Sequence, residues 1–174
     1  MFDLKPIVKE AIPRSLEKAE RYRLLNEPGE AESICSDVLQ IDPDNQQAIV
    51  MLLLSLTDQF GRGITVNQAR ELLPRISGDY ERAYYSGIVC ERWAKAQLDH
   101  GVPGCGFIAY DWFRDAMEWY NKAEALRPSG NDDAVLRWNT CARILMHNPN
   151  LKQSPEERSL NFLESKVGKI GFEK

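Results

Sequence analysis

Small and apolar residues recur three and four positions apart along most of the chain, broken at short intervals by glycine and proline. That is the pattern of successive amphipathic helices joined by tight turns. Two stretches share one grammar. Ala31 answers Ala116, Cys35 answers Tyr120, Val38 answers Ala123, Ile41 answers Leu126 and Pro43 answers Pro128, all at a separation of 85 residues. One offset shared by five positions points to a repeated supersecondary unit.

The punctuation predicts helices over 14–26, 30–41, 46–60, 66–77, 80–99, 108–127 and 132–147, after a short leading segment over 3–10. Pro28 and Gly29, the glycines at 61 and 63, Ser77 with Gly78, and Ser129 with Gly130 separate them. Thr65 followed by Gln68 reads as a capping box. Pro43 and Pro128 each follow a helix that cannot run through them. Small residues at Ala31, Gly87, Ala116 and Ala123 let helix axes approach to within about 8–10 Å. Gly87 costs up to about 1 kcal/mol inside a helix, which close packing would offset. The helices over 80–99 and 108–127 are longer than the others and should project beyond a regular stack.

The spacing of a small residue, a bulky one four positions on, a small one three further and a proline five beyond resembles the second helix of a tetratricopeptide repeat. With Pro43 on position 32 of that family's 34-residue unit, the first unit begins at Ile12, with Tyr22 on the aromatic position 11 and Ala31 on position 20. The second begins at Gln46, where Ile49, Leu52 and Leu56 fill the first helix. Its second helix matches only with four residues inserted before Ala69. The third begins at Tyr80 and carries 17 extra residues between its helices. A fourth, beginning near Val135, offers Trp138, Cys141, Ala142 and Leu145. The resemblance spans about residues 12–147. It implies an all-α, right-handed helical-repeat solenoid of about three and a half helix pairs with a C-terminal capping helix. The organisation expected is a leader over 1–11, a repeat domain over 12–148 with an insertion near 100–113, and a tail over 149–174. In the tail, Ser154 and Pro155 read as a helix start, and Leu160, Leu163, Val167 and Ile170 form one stripe. It would cap the last unit or dock in a groove.

Composition and charge narrow the function. The net charge is −4 over 174 residues, and residues 1–60 hold 11 acidic against 6 basic side chains. An acidic N-terminal third does not suit a nucleic-acid backbone, which calls for clustered Lys and Arg. No apolar run approaches the roughly 18 residues of a membrane span, and the first ten residues lack a signal-peptide core. The expected location is the cytoplasm. Cys35, Cys90 and Cys141 fall where a small apolar side chain is wanted and read as inert core thiols. Cys105 lies in a glycine-rich segment with His100, but two ligands do not make a tetrahedral zinc site. That segment also lacks the Gly-Lys-Ser/Thr end of a phosphate-binding loop. No nucleophile, base and orienter occur as a set, so no catalytic residues, cofactor or metal is expected.

In the family, the first helices line a concave groove. Carrying its positions over gives Leu16, Glu20 and Arg23 from the first unit and Gln47, Val50, Leu54 and Asp58 from the second. The third contributes Tyr84, Ile88, Glu91 and Arg92, and the fourth Asn139 and Arg143. The clamp by which some family members grip acidic C-termini of chaperones is absent: its places hold Leu16, Glu20, Met51, Glu81 and Tyr85. Glu20 and Glu81 favour an apolar ligand bearing a basic residue. The expectation is a non-catalytic interaction module or adaptor that binds a peptide or helix of a partner protein. The alternative is a chaperone of the secretion type that holds a client segment. A small enzyme or redox sensor built on the Cys105 segment ranks below both. Self-association would use the projecting third unit or the tail.

Overall fold

The computed structural model describes residues 2–101 and 103–154; the side chain of His100 is outside that description, as is the expected tail helix after Ser154. The described residues are all-α, with no named strand. Seven α-helices run in order: α1 (Ile12–Leu24), α2 (Pro28–Ile41), α3 (Gln46–Thr57), α4 (Val66–Arg70), α5 (Asp79–His100), α6 (Cys105–Leu126) and α7 (Asp133–His147). Short 3-10 turns occupy Lys9–Ala11 and Leu73–Arg75.

Local chemistry sets the boundaries. Pro28 opens α2 at a position where its missing N–H costs nothing. The Asn45 side chain accepts from the Ala48 amide at 3.0 Å and so caps α3. At the start of α4 the Thr65 amide donates to Gln68 Oε1 at 2.8 Å, the reciprocal bond of a capping box. The continuous helix expected over 66–77 is interrupted: α4 ends at Arg70 and a 3-10 turn follows. Pro74 explains it, having no N–H for the Arg70 carbonyl and a ring that would collide with it. α5 and α6 have 22 residues each, and Pro103 and Gly104 form a turn just before α6.

Consecutive helices pack as α1 on α2, α2 on α3, α5 on α6 and α6 on α7, while α1 also touches α3 and α3 touches α5. The apolar interior is continuous. Leu39 and Leu52 join the cluster around Ala31, Cys35 and Val38 to the next one around Leu53, Ala69 and Val89. Leu54 and Tyr85 join that one to the cluster of α5, α6 and α7 around Phe113 and Tyr120. The extra length does not stand free. Ala94 and Ala96 in α5 are buried, Phe60 meets Trp93 edge-on at 5.1 Å, and Trp93 meets Trp112 at 6.3 Å. On the other side Leu151 is buried, and its neighbour Asn150 lies so close that a Cβ on Gly106 would sit 2.6 Å from the Asn150 carbonyl oxygen.

At Gly87 α5 is packed tightly against α6. A Cβ there would lie 2.4 Å from the Tyr120 ring, whose side chain is wholly buried. The ring therefore fits against α5 only because residue 87 has no side chain. Gly87→Ala should destabilise the fold by about 1–3 kcal/mol through overpacking, even though alanine favours a helix by up to about 1 kcal/mol. Urea unfolding followed by circular dichroism measures this, and a variant as stable as wild type would show that Tyr120 yields freely.

Candidate functional site: a charged stripe across the odd-numbered helices

The contacts of α1 with α3 and of α3 with α5 set three helices side by side, and side-chain bonds extend the row to α7. Across it runs a stripe of ion pairs. Arg23 of α1 donates through Nε to Asp58 Oδ2 at 2.7 Å, just past the end of α3. Asp58 also pairs with Arg92 of α5, whose Nη1 donates to Thr57 Oγ1 at 2.7 Å and to the Leu54 carbonyl at 3.2 Å. Burial pulls the Arg92 guanidinium down from its usual range, and Asp58 opposes that shift.

One turn of α5 carries the second centre. The Glu91 side chain is fully buried. Tyr120 of α6 donates its hydroxyl to Glu91 Oε2 at 2.7 Å, Lys95 donates to Oε1 at 2.5 Å, and Arg137 of α7 lies 3.3 Å from the same oxygen. A buried carboxylate is tolerated only when its lone pairs are filled in this way. Burial raises the Tyr120 phenol far above its usual range, with the Glu91 charge adding to the shift, so it stays a donor.

The stripe thus sets four cations, Arg23, Arg92, Lys95 and Arg137, over the carboxylates of Asp58 and Glu91, with Asp99 as a third carboxylate beside them. A depression of about 370 Å³ lies on it, with Asp58, Phe60, Arg92, Lys95, Asp99 and Arg137 among its walls. Lys95 and Arg137 keep side-chain exposures of 42% and 37%, enough to meet a ligand. This balance runs against the expected basic ligand. Glu20 and Glu81 are exposed, but with Lys95 and Arg137 the centre of the face carries four cations against the three carboxylates of Asp58, Glu91 and Asp99, an excess of one positive charge.

The sequence-predicted residues divide. Arg23, Asp58 and Arg92 meet as described. On α3, Gln47, Val50, Leu54 and Asp58 fall within about 80° of one another at 100° per residue, and Gln47 is exposed while the others are half-buried. Tyr84 is half-buried, stacked 6.0 Å from Tyr80 and tilted 6.0 Å from the Tyr120 ring. Leu16 and Ile88 are corrected to the interior, each 2% exposed, because they point between helices and offer a ligand no surface. Glu91 is likewise internal and acts only through its partners. Asn139 and Arg143 lie about 160° and 120° round α7 from Arg137, outside the stripe of ion pairs. The turn over 128–132 starts α7 at Asp133, where the amide donates to Asn131 Oδ1 at 3.0 Å, two residues before the Val135 start. Lys95 was legible as a partner four residues from Glu91. Arg137 and Thr57 had no local signal.

No protein-family model matches the chain, and no curated protein matches it significantly. The site therefore rests on its geometry.

The core thiols lie close enough to the stripe for Cys35 to feel Arg23 and for Cys141 to feel Glu91, Lys95 and Arg137. Burial raises Cys35 to about 12, Cys90 to about 11 and Cys141 to about 12, from 9.0. Cys105 is the first residue of α6 and half-buried, rather than part of an exposed loop. Among the described residues no three His, Cys, Asp or Glu side chains gather as a metal site. The three core thiols have a consequence for pH. The unfolded chain loses their protons near 9.0 while the folded chain holds them to about 11–12. Their contribution is intact below about pH 9 and fades as pH rises through that window. Unfolding free energy should fall between pH 9 and 11, and replacing Cys35 and Cys141 by alanine should flatten that fall. An equally steep fall in the double variant would assign it to other groups.

Proposed function

We propose that this chain is a non-catalytic interaction module of stacked helix pairs, arranged as in tetratricopeptide repeats, that binds an acidic segment of a partner protein along the face of α1, α3, α5 and α7. The observation that carries this reading is the stripe of four cations against three carboxylates, Asp58, Glu91 and Asp99, of which Glu91 is wholly buried, with apolar Val50, Leu54 and Tyr84 beside it. A partner carboxylate would complete pairs that the chain leaves short, while aliphatic or aromatic groups would settle on Leu54 and Tyr84.

Additional support for repeat stacking comes from the pairs of α1 with α2 and α5 with α6, from the odd helices lying side by side, and from burial at equivalent positions. Ala31, Cys35 and Val38 are wholly buried, as are Ala116, Tyr120 and Ala123, 85 residues on. A client-holding chaperone is supported less, because such a cradle needs an apolar lining and this face is polar along its centre.

The test removes one cation from each centre and leaves each carboxylate another partner: Arg23→Ala with Lys95→Ala. Circular dichroism should show both proteins equally helical. In pull-downs from native lysate at low salt, a partner held by wild type should bind the variant about tenfold more weakly and should wash off at about 0.5 M salt. Equal retention of that partner by both proteins would refute the stripe as the binding surface.

A further inference from the structure

On the side of α5 turned away from the stripe, a groove of about 860 Å³ opens between α5 and α6, closed at one edge by the 3-10 turn at Leu73 and Pro74. Its α5 wall runs from Asp79 to Cys90, about 16 Å of helix, and lies roughly opposite Tyr84, Ile88 and Glu91 at 100° per residue. Trp119, Lys122 and Leu126, three and four residues apart, form the α6 wall.

The groove follows from the early end of α4. α1 and α2 are matched at 13 and 14 residues and α5 and α6 at 22 each, but α3, with 12, is followed by an α4 of only 5. Pro74 stops the helix that would otherwise lie along this part of α5 and α6. What is left is a trough with an apolar floor, including Ala83 and Val89, and an exposed apolar end at Leu126.

The rim is basic. Arg82 pairs with Asp79 and donates to the Ile76 carbonyl at 2.8 Å. Arg70 sits over the Trp112 ring at 4.5 Å and Lys122 over the Trp119 ring at 4.2 Å. Both are exposed, and neither forms an ion pair among the described residues, although Asp115 lies near enough to feel Arg70. A cation held on an indole face keeps its outer side for an anion. In a chain of net charge −4 this is a local reversal of sign.

We propose that the groove takes an amphipathic helix of a partner protein about three turns long, apolar along one stripe and acidic on its flanks. Such a helix would lie where α4 stops short, with leucine-type side chains on the floor and carboxylates reaching Arg70 and Lys122. The site is on the face opposite the charged stripe and stands independently of it.

The probe is a fluorescein-labelled synthetic 14-residue helix with leucines at i, i+3, i+4, i+7 and i+11 and glutamates flanking them, against a twin with lysines for the glutamates. Fluorescence anisotropy with the full chain should show saturable binding of the glutamate helix, about tenfold or more tighter than its twin. Arg70→Glu with Lys122→Glu, both surface changes, should reverse that preference. Arg23→Ala with Lys95→Ala should bind the glutamate helix as wild type does. Equal affinity for both peptides, or loss of binding in the Arg23 and Lys95 variant, would overturn the proposal. A concentration-dependent dimer of the unliganded chain that Arg70→Glu with Lys122→Glu dissolves would also overturn it, giving the groove to a second copy.

Discussion

The carboxylate of Glu91 holds the larger half of the molecule together. It is wholly inside the protein and accepts from the Tyr120 hydroxyl of α6, from Lys95 on its own helix and from Arg137 of α7. A charge so placed costs several kcal/mol to desolvate and is retained only when each oxygen finds a donor. The register of three helices therefore follows from one side chain: α6 must bring Tyr120 to its depth and α7 must bring Arg137 to its edge. Gly87, one turn before Glu91, removes the Cβ that would keep the Tyr120 ring away. Gly87, Tyr120 and Glu91 act as one packed unit.

The same carboxylate shapes the exposed face. Its two cationic partners stay partly in solvent, so a structural anchor leaves two cations at the surface above it. Asp58 repeats the arrangement between α1 and α5 with Arg23 and Arg92. These pairs lie in partly buried surroundings, where electrostatic attraction is stronger than in open water and salt screens it less. An incoming acidic group would therefore meet guanidinium and ammonium groups already held in place, with little side-chain entropy left to lose. The opposite face owes its trough to a backbone cause, the missing N–H of Pro74. Two faces of one helix, α5, thus differ in chemistry because one is bordered by ion pairs and the other by a helix that stops early.

Much of the helix order was legible. Apolar periodicity placed α1, α2, α3, α5, α6 and α7 to within a few residues, because each has an apolar face and a turn residue at its ends. The 85-residue correspondence identified Ala31, Cys35 and Val38 with Ala116, Tyr120 and Ala123, all now seen in the interior. The site was legible in part. Arg23, Asp58 and Arg92 were found at their positions, but their mutual bonds depend on how far helices 35 residues apart are rotated, which no local pattern encodes. Leu16 and Ile88 occupy groove positions of the repeat pattern yet are buried, because such a position does not say whether the next helix covers it. A charge such as Glu91 normally reads as surface, and its burial needs partners 29 and 46 residues away.

A double-mutant cycle on Glu91 and Tyr120 tests the central claim most directly. Glu91→Leu leaves a buried hydroxyl without an acceptor, Tyr120→Phe leaves a carboxylate oxygen without a donor, and the double variant removes both needs. Measured by urea unfolding, the double variant should be about 1–3 kcal/mol more stable than the sum of the single losses requires. Additivity to within about 0.5 kcal/mol would contradict the account, because the two groups would then contribute independently and Glu91 would not be the tie between α5 and α6.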